Sequence, residues 1–132
     1  MTLICMINEL NNNLLVKKYD LEDRLVRFSG ELIFFIRTVK KDYEGKYLSE
    51  QIIRSATSAA LNYGESQAAE SKRDFRHKCK ISVKELKESR VNLKILNHIN
   101  YGDKILRDKL LDECEQLIAI LSTIIRNSAN KN

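Results

Sequence analysis

Eight lysines and arginines that fall on one side of a single helical segment are the strongest chemical signal in the sequence. Lys72, Arg73, Arg76, Lys80, Lys84, Lys87, Arg90 and Lys94 follow one another in steps of one, three and four. With Phe75 set at zero and 100° added per residue, all eight lie between about 60° and 180°. Glu70, Asp74, Glu85 and Glu88 collect instead between about 220° and 280°. Between Ser71 and His98 there are nine Lys or Arg and three Asp or Glu, a balance of +6. The whole chain carries +5, so the rest is close to neutral. A cationic row ~33 Å long, at 1.5 Å per residue, is the electrostatic footprint of a surface that takes nucleic-acid phosphates. Two other uses stay open. A basic side can face the acidic side of a neighbouring subunit in a head-to-tail ring, and a charged face can simply be solvated.

Groups suited to catalysis or metal binding are sparse. The sequence has no GxGxxG, Walker loop, HExxH or GxSxG, and no cofactor is expected. His77 and His98 lie on one segment without an i+4 His, Asp or Cys to complete a metal face, so no metal site is expected either. His77 and Cys79, two positions apart, belong to different faces of a helix. Glu65 and Glu70 could suggest an acid pair, yet no second catalytic group accompanies them. No enzyme activity is predicted.

These side chains must be held by helices. The 132 residues contain no proline and four glycines, which removes most of the breakers and tight-turn formers. Leu21, Leu25, Phe28, Leu32, Phe35 and Val39 alternate steps of four and three, as one buried helical face requires. Asp20 is read as its N-cap, and Gly45 as the end of the following connection. A second seam runs Leu48, Ile52, Ser55, Ala59 and Asn62, with Ser49 as a cap. The third, starting after Ser71, is Phe75, Cys79, Ser82, Leu86, Ser89, Leu93 and Leu96, stopping near Asn100 and Gly102. The fourth begins at Asp103 and runs Leu106, Leu110, Cys114, Leu117, Leu121 and Ile124. Four seams with short polar connections predict an all-α, antiparallel up-down four-helix bundle over 20–128. Residues 1–19, with the Asn11-Asn12-Asn13 tract, are expected to be a mobile or weakly docked leader, and 129–132 a tail. Translation could also start at Met6. The small residues from Ser55 to Ala60 permit close backbone approach, either inside the chain or between subunits.

With 43% hydrophobic and 31% charged residues, the composition is that of a folded domain with a heavily charged surface. The three cysteines, Cys5, Cys79 and Cys114, form no ligand spacing, and their odd count argues against a disulfide framework. Reduced thiols in the cytoplasm fit best. The apolar runs from Leu32 to Ile36 and from Leu117 to Leu121 are about a quarter of the ~20 residues that a membrane span needs. No membrane partner is expected.

The run from Gln51 to Ser58, followed by that from Asn62 to Lys78, resembles the bacterial four helix bundle protein family, also called the 23S ribosomal RNA intervening-sequence proteins. The similarity extends from about Tyr19 to Asn127 and includes the stretch from Lys84 to Arg90. It implies a four-helix protomer, a ring-like homopentamer and no established enzyme activity. A related basic accessory protein of diversity-generating retroelements, similar in fold, binds nucleic acid and a reverse transcriptase. Ala56, Ala59 and Ala60 stand where relatives often have Gly or Val, and Gly64 where many have Glu. Arg54, Ser58, Asn62 and Glu65 match the family motif at i, i+4, i+8 and i+11. A structural polar network linking helices or subunits is expected of them. The expected function is therefore a non-enzymatic homo-oligomer that binds RNA or DNA with low sequence specificity. The alternative is an assembly or adaptor protein with protein partners.

Overall fold

The computed structural model describes residues 17–129, which form four helices and, among those residues, no strand. They are α1 (Lys17–Ile36), α2 (Tyr43–Gln67), α3 (Lys72–His98) and α4 (Lys104–Ala129). Each helix packs against the next, and α4 closes back on α1, while among the described residues the backbones of the diagonal pairs stay further apart. Contacts between α2 and α3 pair Glu65 with Lys78, Ala59 with Ser82 and Ser55 with Ser89, an order that only antiparallel neighbours give. The up-down four-helix bundle is thus the fold. Among the described residues no helix is long and apolar enough to cross a membrane.

Helix boundaries follow capping chemistry, and the starts of α1 and α2 differ from the sequence expectation. α1 opens at Lys17, so Asp20 lies inside the helix and not at its cap. Nothing between Lys17 and Asp20 breaks a helix, and an acidic residue suits a first turn as well as a cap. Most of the expected leader, residues 1–16, and residues 130–132 of the tail lie outside the described residues. The cap of α2 is Asp42, whose Oδ1 accepts from Gly45 N at 2.9 Å. Ser49, expected as that cap, is instead buried within the helix. Gly45 is also inside the helix, and its small size has a packing reason: a Cβ there would collide with the Lys40 carbonyl oxygen. The starts of α3 and α4 are as expected. Ser71 Oγ accepts from Asp74 N at 3.0 Å, and Asp103 Oδ1 from Leu106 N at 2.9 Å.

The core follows the four predicted seams, except that Tyr63 and not Asn62 ends the second, Ala56 joins it, and Phe75, Leu106 and Ile124 are only partly buried. Leu21, Leu25, Phe28, Leu32 and Phe35 of α1 face Leu48, Ile52, Ala56 and Ala59 of α2, with Leu86, Leu93, Leu96, Leu117 and Leu121 completing the interior. The small stretch of α2 is used within the chain. Ser29 donates to the Ala56 carbonyl at 3.2 Å, and Ser82 to the Ala59 carbonyl at 2.7 Å. Ser55 and Ser89 share a hydrogen bond of 2.6 Å. Short hydroxyl side chains reaching a facing backbone require closely spaced helices, which bulky residues at these positions would separate.

Both described thiols are buried in this core. Cys114 donates to the Leu86 carbonyl at 3.2 Å, and burial pushes its thiol up to about 12. Burial likewise raises Cys79. Since the thiolate is the reactive form, alkylation of either residue in the native chain is expected to be at least ~100-fold slower than in denaturant. Peptide-resolved mass spectrometry after iodoacetamide pulses measures this. Equal rates in the two states would contradict the packing.

The α3–α4 turn carries two left-handed residues, Asn100 at φ 58° and Gly102 at φ 83°. A Cβ on Gly102 would press into the Phe35 ring. Arg107, only 1% exposed, holds the turn from inside. It donates to Asn97 Oδ1 at 3.1 Å, to the Tyr101 carbonyl at 2.7 Å and to the Gly102 carbonyl at 3.3 Å. Tyr101 in turn donates to Asp42, tying this turn to the start of α2. That bond holds the Asp42 carboxyl below its ordinary value and pushes the Tyr101 hydroxyl up to about 12.

Candidate nucleic-acid interface

α3 lies with one flank on α2, the other on α4 and its back to solvent. The basic row occupies the back and the α4 flank, and its eight members divide accordingly. Lys72, Arg73, Lys80, Lys84, Lys87 and Lys94 are exposed, whereas Arg76 and Arg90 are half-buried. Arg90 Nη1 pairs with Glu115 of α4 at 3.3 Å on the bundle surface, so its charge is partly answered within the chain. Lys80, Lys84, Lys87 and Lys94 make no ion pair among the described residues. Free ammonium groups spaced by three, four and seven residues along one helix can each meet a phosphate of a strand lying across them.

Two carboxylates of the acidic flank of α3 are answered within the chain. Arg54 of α2 donates to Glu85 at 3.0 Å and to Glu88 at 2.7 Å. Glu88, then Glu85, strengthens the hold of the guanidinium on its proton. Charge sorting on α3 therefore leaves an unbalanced basic side, while of its acidic side Glu85 and Glu88 are engaged by Arg54 and Asp74 makes no ion pair among the described residues.

The four-residue polar stripe of α2 resolves into three separate units. Arg54 joins α2 to α3 as described. Asn62 Nδ2 donates to the Ser58 carbonyl at 2.9 Å and to its hydroxyl at 3.1 Å, a contact within one helix. Glu65 accepts from Lys78 of α3 at 2.8 Å, which raises the lysine's affinity for its proton. Two of the three units link α2 to α3, and no bond connects one unit to the next among the described residues.

Two open depressions run along the basic row. One is lined by Arg73, Arg76, His77 and Lys80 near the start of α3. The other brings Tyr47 and Arg54 of α2 beside Lys84, Lys87, Glu88 and Val91 of α3. Tyr47 was not singled out by the sequence pattern. The signal was weak, since Tyr47 stands one position before Leu48 of the seam, while Ser49, one position after it, is buried. His77 and His98 are both exposed, and Cys79 faces inward, away from His77. Among the described residues no group of three His, Cys, Asp or Glu side chains comes together to hold a metal.

A crystal structure of a protein of unknown function from the S23 ribosomal protein family of Bacteroides thetaiotaomicron VPI-5482 superposes with a TM-score of 0.73. It is 25% identical, and the match covers 80% of this chain and 97% of that one. No curated protein matches the sequence. The family described as 23S rRNA-intervening sequence protein matches residues 16–123, which is the bundle from the start of α1 to within two turns of the end of α4. The chain belongs to the 23S rRNA-intervening sequence protein family.

Proposed function

We propose that this protein is a non-enzymatic, cytoplasmic helical scaffold that binds RNA or DNA phosphates through the exposed face of α3, with little sequence preference. The observation that carries this reading is the row of Lys80, Lys84, Lys87 and Lys94, exposed and without carboxylate partners among the described residues. Phosphate contacts of this kind fix position on a strand and do not read bases. A homopentamer would repeat the row five times, and five copies at +5 each carry +25, so avidity would strengthen a weak single-chain contact. Fluorescence anisotropy with labelled RNA and DNA at ~20 mM salt, well inside the range where screening is weak, should give saturable binding. No binding under those conditions removes the reading.

A second reading, an assembly or adaptor protein, has its own support. Val26 and Phe34 of α1 are 59% and 55% exposed, and Leu61 of α2 is 67% exposed. Apolar surface of this kind suits a subunit or partner contact. This reading has charge reversal on α3 break the oligomer, which light scattering measures. Phosphate binding has the same reversals leave the oligomer intact.

A further inference from the structure

We propose that Tyr47 is a base-stacking platform, and that the strand lying along α3 is single-stranded. This rests on the phosphate-binding reading above and adds the class of nucleic acid. Tyr47 is 52% exposed and its hydroxyl makes no hydrogen bond among the described residues, so about half of the side chain is open to a ligand. An isolated exposed tyrosine is ordinary. This one lies in the same open depression as Lys80, Lys84 and Lys87, with the apolar Val91 beside it, 52% exposed.

A strand needs two things from such a surface: cations that follow its backbone and a flat apolar face for an unstacked base. Lysines of α3 supply the first, and Tyr47, projecting from the neighbouring α2, the second. Glu88 in the same depression does not oppose the phosphates at full strength, because Arg54 holds its carboxylate at 2.7 Å. A duplex keeps its bases stacked inside and offers the ring nothing, whereas every unpaired base presents a π-face. Preference for single strands without preference for sequence is the consequence.

Anisotropy with a fluorescein-labelled 20-nucleotide oligo(dT) and with a 20-base-pair duplex, both at low salt, tests this on the full chain. Tyr47→Ala should weaken oligo(dT) binding roughly 5- to 150-fold, the range for loss of one aromatic–base stack, and leave the duplex within about twofold. Tyr47→Phe should retain oligo(dT) affinity, because the stack uses the ring and not the hydroxyl. Equal oligo(dT) affinity in wild type and Tyr47→Ala, or an equal loss on both ligands, overturns the stacking role. If that happens while a Lys80, Lys84 and Lys87 reversal still abolishes binding, phosphate binding stands and only the platform falls. If the wild type binds neither ligand, both fall, and binding of polyglutamate instead would assign the face to an acidic protein. Circular dichroism melts of both Tyr47 variants, expected to match wild type because the side chain is exposed, exclude unfolding as the cause.

Discussion

A chain carrying Lys80→Glu, Lys84→Glu and Lys87→Glu should bind RNA and DNA at least about 100-fold more weakly than wild type at low salt. Each lysine near a polyanion contributes about 1 kcal/mol, so three lost contacts amount to about two decades, and the introduced carboxylates add repulsion. The fold should tolerate the change, because all three side chains are exposed and make no ion pair among the described residues. Total charge alone cannot account for the expected loss if a control of equal charge behaves differently. Lys41, Lys46 and Lys109 are likewise exposed but lie off the α3 face. Reversing those three also takes the chain from +5 to −1, at two charges per substitution, and should cost several-fold at most. Equal losses from the two triple variants would mean that the basic face has no local role.

The largest effect on stability should come from Arg107→Ala, a loss of about 3 kcal/mol or more. The guanidinium is almost fully buried and gives three hydrogen bonds, two of them to carbonyls of the α3–α4 turn. Alanine leaves those carbonyls unsatisfied and opens a cavity between Asn97 and Gly102, next to backbone already held at positive φ. For a domain of this size the melting temperature should fall by roughly 10 °C or more. Urea unfolding at fixed protein concentration would show the midpoint lowered with the slope unchanged. Arg107→Lys should recover part of the loss, since one ammonium can serve the carbonyls that Nη1 holds but cannot also replace the Nε bond to Asn97. An unchanged midpoint in Arg107→Ala would contradict the assigned role.

Much of this is legible in the sequence. Seams of Leu, Phe and Ile at steps of three and four must be buried, and residues from Leu21 to Val39 and from Leu106 to Leu121 lie where that periodicity puts them. The starts of the third and fourth helices, after Ser71 and at Asp103, were readable because each precedes a long periodic run. The start of α2 was misread because Gly45 looks like a breaker, while its real constraint is a backbone oxygen contributed by Lys40 in the preceding loop. No one-dimensional pattern contains that proximity. The same limit applies to the candidate site. A helical wheel gives the angle of Arg90 but not the presence of Glu115 on the facing helix. It gives the acidic flank of α3 but not that Arg54 reaches it from α2. Arg107 was hidden for the opposite reason: a charged residue reads as surface unless one knows that a turn folds its carbonyls over it.

The most direct test of phosphate binding by the α3 face is the salt dependence of affinity for one labelled duplex, compared between wild type and the Lys80, Lys84 and Lys87 reversal. Four unpaired lysines meeting phosphates predict a linear fall of log affinity with log salt concentration, with a slope of about −3 to −4 per chain and steeper in an oligomer. The reversal should flatten that slope by about 3. A wild-type slope near zero, or the same slope in both proteins, would contradict the account.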